Sequence, residues 1–514
     1  MRAKSFRRGV AAITAAILAV ALSAAPAPAL AEDGTVVTDA ATLQAALDDA
    51  SVSTITLGED VTYSVTVPAG RTVTLNLNGH KLTNEADKHT IDNKGTLTIT
   101  GEGAVDNVSH ARAALYNDGG DATIAGGTFT RSAERGIPGN GNGNSWYVVY
   151  NESGGLTMNG GSVAGTSGFS SCVRNDGTMN FNGGTIEQPV MIALKNEGTL
   201  VMDGGVVNSA NGLQNWGNAT IKSGEINGIL TDLSWDESES GNLEMVGGKV
   251  TGDVIVVKYA GSSSTPSLKV SGDAFVGGTI TATTGESVNP GDNMPSAEVA
   301  KNIAVNGGTF AKAAGNVDFV TSGNAMVARD GGFEVVSENN AIDGSLAAVN
   351  VGNAKVYFAD ADAARDFAKE SGLDGSAVER VNYVVSFETN GHGSVDSVTV
   401  RSGSALGTLP EVPAVEGYTA AGWYVGDQKV DETYVPTSDV TLVAKWTKNA
   451  TQSNGSADTG NAGAGNASNA NASNAGGKVL PQTGDTNNVT MMVAIAVIGV
   501  IAVAGAIFAR RHNN

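Results

Sequence analysis

Between residues 122 and 311 the chain returns to one phrase, a short apolar–polar alternation closed by glycine. It reads ATIAGGTFT from 122, LTMNGGSVA from 156, TMNFNGGTIE from 178, TLVMDGGVVN from 199 and ATIKSGEIN from 219. LEMVGGKVT from 243, LKVSGDAFV from 268 and IAVNGGTFA from 303 continue it. Within a unit Leu200 and Met202 point one way and Thr199, Val201 and Asp203 the other, the period-two signature of a strand. Leu156 and Met158, Met179 and Phe181, and Ala219 and Ile221 keep the same phase. Most intervals are about 19 to 24 residues, and intervals of about 34 accommodate insertions such as RGIPGNGNGNS at 135–145. Self-similarity at this period predicts a stack in which each unit buries its inner face on the next.

A second column runs through the same units. Leu115/Asn117, Val149/Asn151, Val173/Asn175, Leu194/Asn196 and Leu213/Asn215 each place an amide on the apolar side of a strand. A buried amide must be paired. Stacked at about 4.8 Å on successive rungs, these asparagines are expected to hydrogen-bond one another and the adjoining bend. The acids that follow, Asp118, Glu152, Asp176 and Glu197, should face water, with the next glycine supplying positive φ. The predicted fold is all-β: a right-handed parallel β-helix solenoid of about a dozen turns, or a rod of roughly 60 Å. It would span 32–350, opened by a lid helix in DAATLQAALDDA (39–50), with Asp39 as N-cap and Leu43, Ala46, Leu47 and Ala50 facing inward. A first rung is read in 72–84, and a helical cap or connector in 351–380.

Composition sharpens this. Gly is 68 of 514 residues while Pro is 12, which fits a turn-dense β protein. A formal charge of −21 argues against nucleic-acid partners. Cys172 is the single cysteine, so no intrachain disulfide exists, and it is read as a small core filler.

Both ends carry export features. Residues 1–31 combine four basic residues, an apolar run and Ala29-Leu30-Ala31, which predicts a signal peptide cleaved between Ala31 and Glu32. Residues 448–479 are rich in Asn, Ala, Gly and Ser and are expected to form a flexible linker. Leu480-Pro481-Gln482-Thr483-Gly484 follows, and 485–514 holds an apolar run long enough to span a bilayer before Arg510 and Arg511. This ordered set resembles the LPxTG cell-wall sorting signal of Gram-positive bacteria. The resemblance implies a sortase partner, a membrane-inserted precursor, cleavage between Thr483 and Gly484, and an amide link from Thr483 to peptidoglycan.

Residues 381–447 change register altogether. Val385 and Phe387, Asn390 to Gly393, Leu409-Pro410, Pro413, Gly417-Tyr418, Gly422-Trp423-Tyr424 and the closing TLVAKW resemble the Listeria-Bacteroides, or internalin B-type, repeat. That resemblance implies a small β-grasp-like module used as a spacer or interaction unit, without enzymatic activity.

Chemistry is harder to find. Parallel β-helices of the pectate-lyase-like kind include carbohydrate-active enzymes, but glycosidic cleavage needs two carboxylates converging on one bond. Here the acids form a row. Gly391-His392-Gly393 falls in the turn of the second module, Asp48 and Asp49 belong to the lid helix, and GNGNGN at 139–144 lacks a strand-to-helix context. The acidic row lacks calcium-solenoid spacing, and His80, His89 and His110 fall on different early units, so neither metal nor cofactor is expected. One outer surface remains: Tyr116, Tyr150, Arg174 and Lys195 precede the asparagines and should lie on adjacent rungs. It is read as a candidate ligand surface, with a mutually stacked structural ladder as the alternative. The functional expectation is a cell-wall-anchored adhesin or ligand-binding rod toward host or environmental glycans or proteins. The alternatives are a β-helix polysaccharide lyase or hydrolase and a passive stalk or coat.

Overall fold

A computed structural model describes residues 34–109, 111–132, 147–165, 171–189, 192–235, 240–287, 290–352 and 354–450. The signal peptide and its cleavage site, most of the linker, the LPQTG motif and the apolar run near the C-terminus lie outside these residues. Among the described residues, no helix is long and apolar enough to cross a membrane.

The chain is predominantly β. One long mixed sheet takes in 35 strands, and a separate five-stranded sheet follows. Most of the long sheet consists of three parallel ladders, because each unit of the repeat contributes a strand to each. The first ladder steps from Thr35–Val37 through Thr72–Asn76, Thr178–Phe181 and Asn218–Asn227 to Ile303–Val305. Its register aligns Leu156, Met179, Leu200 and Ala219 in one column and Met158, Phe181, Met202 and Ile221 in the next. All eight are buried. Burying each of the larger side chains contributes about 1.5–3 kcal/mol, so a column repeated on every rung supplies a continuous core. The second ladder aligns Val105, Phe129, Val163, Ile186, Val207 and Ile226. The third runs from Val65–Val67 to Ile280–Gly285, and its strands from Ile91–Asn93 to Asn211–Asn215 carry the asparagines.

The opening helix spans Ala40–Asp48, with Asp39 accepting from the Thr42 backbone and Thr42 answering in a reciprocal cap. Leu43, Ala46 and Leu47 are buried against the first rungs, whereas Ala50, expected on the same face, lies beyond the helix and is exposed. At the other end the parallel ladders stop at Phe310, well before the expected boundary at 350. There Thr309 and Phe310 pair antiparallel with the hairpin of Asn324–Arg329 and Gly332–Ser337. Strands Ala347–Val351 and Ala354–Phe358 and the helix Ala361–Glu370 complete a mixed α/β cap. The change has a plain cause: Met326, Val335, Val349, Val356, Phe358, Ala364 and Ala368 cover the last rung, and an antiparallel strand closes its edge.

In the second sheet, Asn382–Glu388 runs parallel to Val440–Lys448, and Tyr418–Val425 pairs antiparallel with the latter. The helix that a β-grasp-like arrangement leads one to expect is missing among residues 382–450. Val385, Val400, Trp423, Val430, Leu442 and Ala444 form the core, and Leu406, Leu409 and Val412 of the extended connection pack on it in the helix's place. Trp423 donates to the Pro410 carbonyl at 2.7 Å and Trp446 to that of Pro413 at 2.9 Å, which fixes this connection over the sheet. His392 of the Gly-His-Gly turn lies edge-on to Trp446, a packing role.

Candidate ligand surface

The third ladder has two sides with different chemistry, because alternation sends neighbouring residues in opposite directions. Inward, Asn117 donates to Asn151 at 2.7 Å, Asn151 to Asn175 at 2.6 Å, Asn175 to Asn196 at 2.7 Å and Asn196 to Asn215 at 2.7 Å. The column is longer than the five residues read from sequence. Asn93 donates into Asn117 at 2.6 Å, and Asn215 donates to Asp232 at 2.7 Å. All seven side chains are fully buried. The amides also donate to the bend, as Asn117 does to the Gly120 carbonyl and Asn215 to that of Gly217. Every donor and acceptor along the column runs in one direction, and Asp232 is its terminal acceptor. Burial pushes the Asp232 carboxyl well above the usual range, and its Oδ2 has no partner.

Two bend glycines take the expected positive φ, Gly119 at +82° and Gly154 at +87°, but Gly177, Gly198 and Gly217 are not in the left-handed region and serve another purpose. A Cβ on Gly198 would lie 2.0 Å from the Gly177 carbonyl, and one on Gly217 would lie 2.2 Å from that of Gly198. The bends stack too closely for any side chain.

Outward, Tyr116, Tyr150, Arg174 and Lys195 are brought onto successive rungs in register. His89 stacks on Tyr116 with centroids 4.4 Å apart, Tyr150 lies 5.6 Å beyond, and Arg174 sits over the Tyr150 ring at 5.1 Å. The acids of the bends engage these groups. The Tyr116 hydroxyl donates to Glu152 and that of Tyr150 to Asp176 at 2.7 Å, while Arg174 bridges Asp176 and Glu197, both at 2.7 Å. Burial and the carboxylate bonds raise both tyrosine pKa values. Burial opposes the charge on Arg174, yet its bonds to Asp176 and nearby negative groups hold its pKa above the ordinary value. Burial and the neighbouring Arg112 lower His89 to about 4, so at neutral pH it is uncharged and its Nδ1 accepts from the Ala113 backbone. Tyr150 is only 8% exposed. Tyr116, Tyr150 and Arg174 are therefore held in a mutually bonded ladder, with Tyr116 and Arg174 still partly open to solvent.

The open aromatic surface lies further along. Lys195 pairs with Glu197 and sits 4.0 Å over the Trp216 ring. Trp216 is 5.4 Å from Trp235, and Trp235 is 4.2 Å from Tyr259. Trp235 is 48% exposed. Sequence reasoning passed over this cluster, although one signal was present: Trp216 takes the acid's place in Asn-Trp-Gly.

Among the described residues no group of three or more His, Cys, Asp or Glu side chains could hold a metal ion. His80 lies beside Asp60, and His110 lies outside the described residues. Cys172 is buried, donates to the Glu187 carbonyl at 3.0 Å, and has its thiol pushed up to about 12 by burial, a poor nucleophile.

Residues 383–445 match the family model of the Listeria-Bacteroides repeat domain. The second sheet belongs to that repeat family. The match covers the tryptophan-anchored sheet and leaves the ladders unassigned. No match was found among curated proteins or among solved structures.

Proposed function

We propose that this chain is a surface protein of a Gram-positive bacterium, exported through residues 1–31 and joined to peptidoglycan by a sortase through Thr483. In this reading the three ladders are the faces of a right-handed parallel β-helix solenoid, and the repeat domain and linker stand between it and the wall. The solenoid acts as an adhesin or ligand-binding module toward glycans or proteins. The observation that carries the binding role is the exposed Trp235, held between ordered aromatic neighbours on the outer side of the third ladder. Three aromatic side chains gathered on one outer face, one of them open to solvent, supply the apolar body and polar edges that ligand surfaces use. Display of many copies on one wall would turn weak individual contacts into avidity.

Two measurements test the two halves. Mass spectrometry of the protein released from purified walls is expected to find Thr483 at its C-terminus, bearing a peptidoglycan fragment. A C-terminus at Asn514 contradicts anchoring. Glycan and matrix-protein arrays probed with the protein are expected to give at least one specific binder, and an empty result on both leaves a passive stalk.

A further inference from the structure

Building on the ligand-binding reading above, we infer that Trp216, Trp235 and Tyr259 form the stacking platform of a site for an uncharged glycan chain. Three observations favour sugar over other ligands. Trp235 offers one open ring: Trp216 and Tyr259 pack beside it, and the apolar residues Leu233, Ile255 and Val257 are already buried. A stable protein interface needs about 800 Å² from each partner around an apolar centre, which a single open ring does not provide. A pyranose needs only an aromatic face for its C–H surface and polar atoms around the rim.

Charge narrows the class. Lys195 is paired with Glu197 and Lys258 with Glu298 at 2.7 Å, within a chain of net charge −21. Sulfated or uronic-acid polymers find no free counter-charge on these lysines and meet an unfavourable field. Trp235 and Tyr259 are level on neighbouring strands about 4.8 Å apart, while Trp216 on the preceding strand is level with Leu233 and reaches Trp235 with its ring. The three rings pack on one another, and the exposed Trp235 ring is the one a pyranose can reach.

The test uses the full chain purified in detergent, titrated by calorimetry with cellohexaose, mannohexaose and laminarihexaose, and with a hyaluronan hexasaccharide as the charged probe. At least one uncharged hexasaccharide is expected to bind and to perturb tryptophan emission. Trp235→Ala should weaken binding at least about tenfold, a loss of about 1.4 kcal/mol, with the far-UV circular dichroism unchanged. Trp235→Tyr should recover most of the affinity, and Tyr424→Ala in the repeat domain should leave it unaltered. Failure of all three uncharged probes, full binding by Trp235→Ala, or tighter binding of hyaluronan overturns the assignment. A matrix-protein ligand that binds Trp235→Ala normally overturns the glycan site while preserving the ligand-binding reading, whereas empty arrays remove both.

Discussion

The third ladder divides at Asp232 into two regions built on different solutions to the same problem. From Asn93 to Asn215 its inner column is amide, its bends are tight, and its outer face carries Tyr116, Tyr150 and Arg174 bonded to acids. Beyond Asp232 the column becomes Val256 and Ala282, and the strands lengthen to Val254–Tyr259 and Ile280–Gly285. The outer face there turns apolar, with Ile255 and Val257 buried beside Leu233 and covered by Trp216, Ile229 and Tyr259. A tight bend leaves polar backbone groups near the core, and an inward amide satisfies them. Where the strand runs on and a second layer covers it, both faces are apolar and no amide is needed. Trp235 stands at the junction, where the polar stack has ended and the cover does not reach.

The largest expected effect comes from interrupting the amide column at its middle. Asn175→Leu takes the acceptor from one Asn151 N–H and the donor from the Asn196 carbonyl oxygen, both buried, so denaturant unfolding should show a loss of about 3 kcal/mol. An unchanged midpoint would mean that the column contributes no more than its apolar counterpart. Gly198→Ala should follow at about 1–3 kcal/mol, because the added methyl meets carbonyls at 2.0 and 2.6 Å on the preceding rung. The same measurement checks it, and the expected loss is absent if the bends can separate.

Asp232→Asn sharpens the comparison through pH. The folded carboxyl has a raised pKa, so the native state holds a proton that the unfolded chain releases above about pH 4. Its stabilising contribution is complete below the unfolded pKa and declines as pH rises toward the folded one. Thermal unfolding between pH 3 and pH 7 should show that decline in the native chain and a shallower one in the variant. Identical slopes would contradict a buried, protonated Asp232. The smallest effect belongs to Lys269→Gln, which breaks the exposed pair with Glu244 on the outside of the first ladder and should cost less than about 1 kcal/mol.

Much of this was legible in the sequence because the inner columns recur with fixed phase, as Leu200/Met202 and Leu194/Asn196 do. The ends of the amide column were hidden by side-chain identity. Asn93 is followed by Lys94 instead of an acid, and Asp232 occupies an amide's register as a carboxylate. At the far end the helix Ala361–Glu370 announces itself by Asp360 and spaced alanines, while the hairpins before it have no repeat to signal them. The glycine role was invisible for another reason: close approach between rungs depends on a neighbour about twenty residues away. Trp235 sits past the last aligned position of its strand, and only folding sets it beside Trp216 and Tyr259.

Side-chain hydrogen exchange at asparagine Nδ2 tests the central claim most directly, since a continuous buried column makes each amide inaccessible until several rungs open together. Asn117, Asn151, Asn175, Asn196 and Asn215 should be protected to nearly the global unfolding limit, while exposed Asn180 exchanges freely. Exchange of the five at the rate of Asn180 would contradict the stacked column.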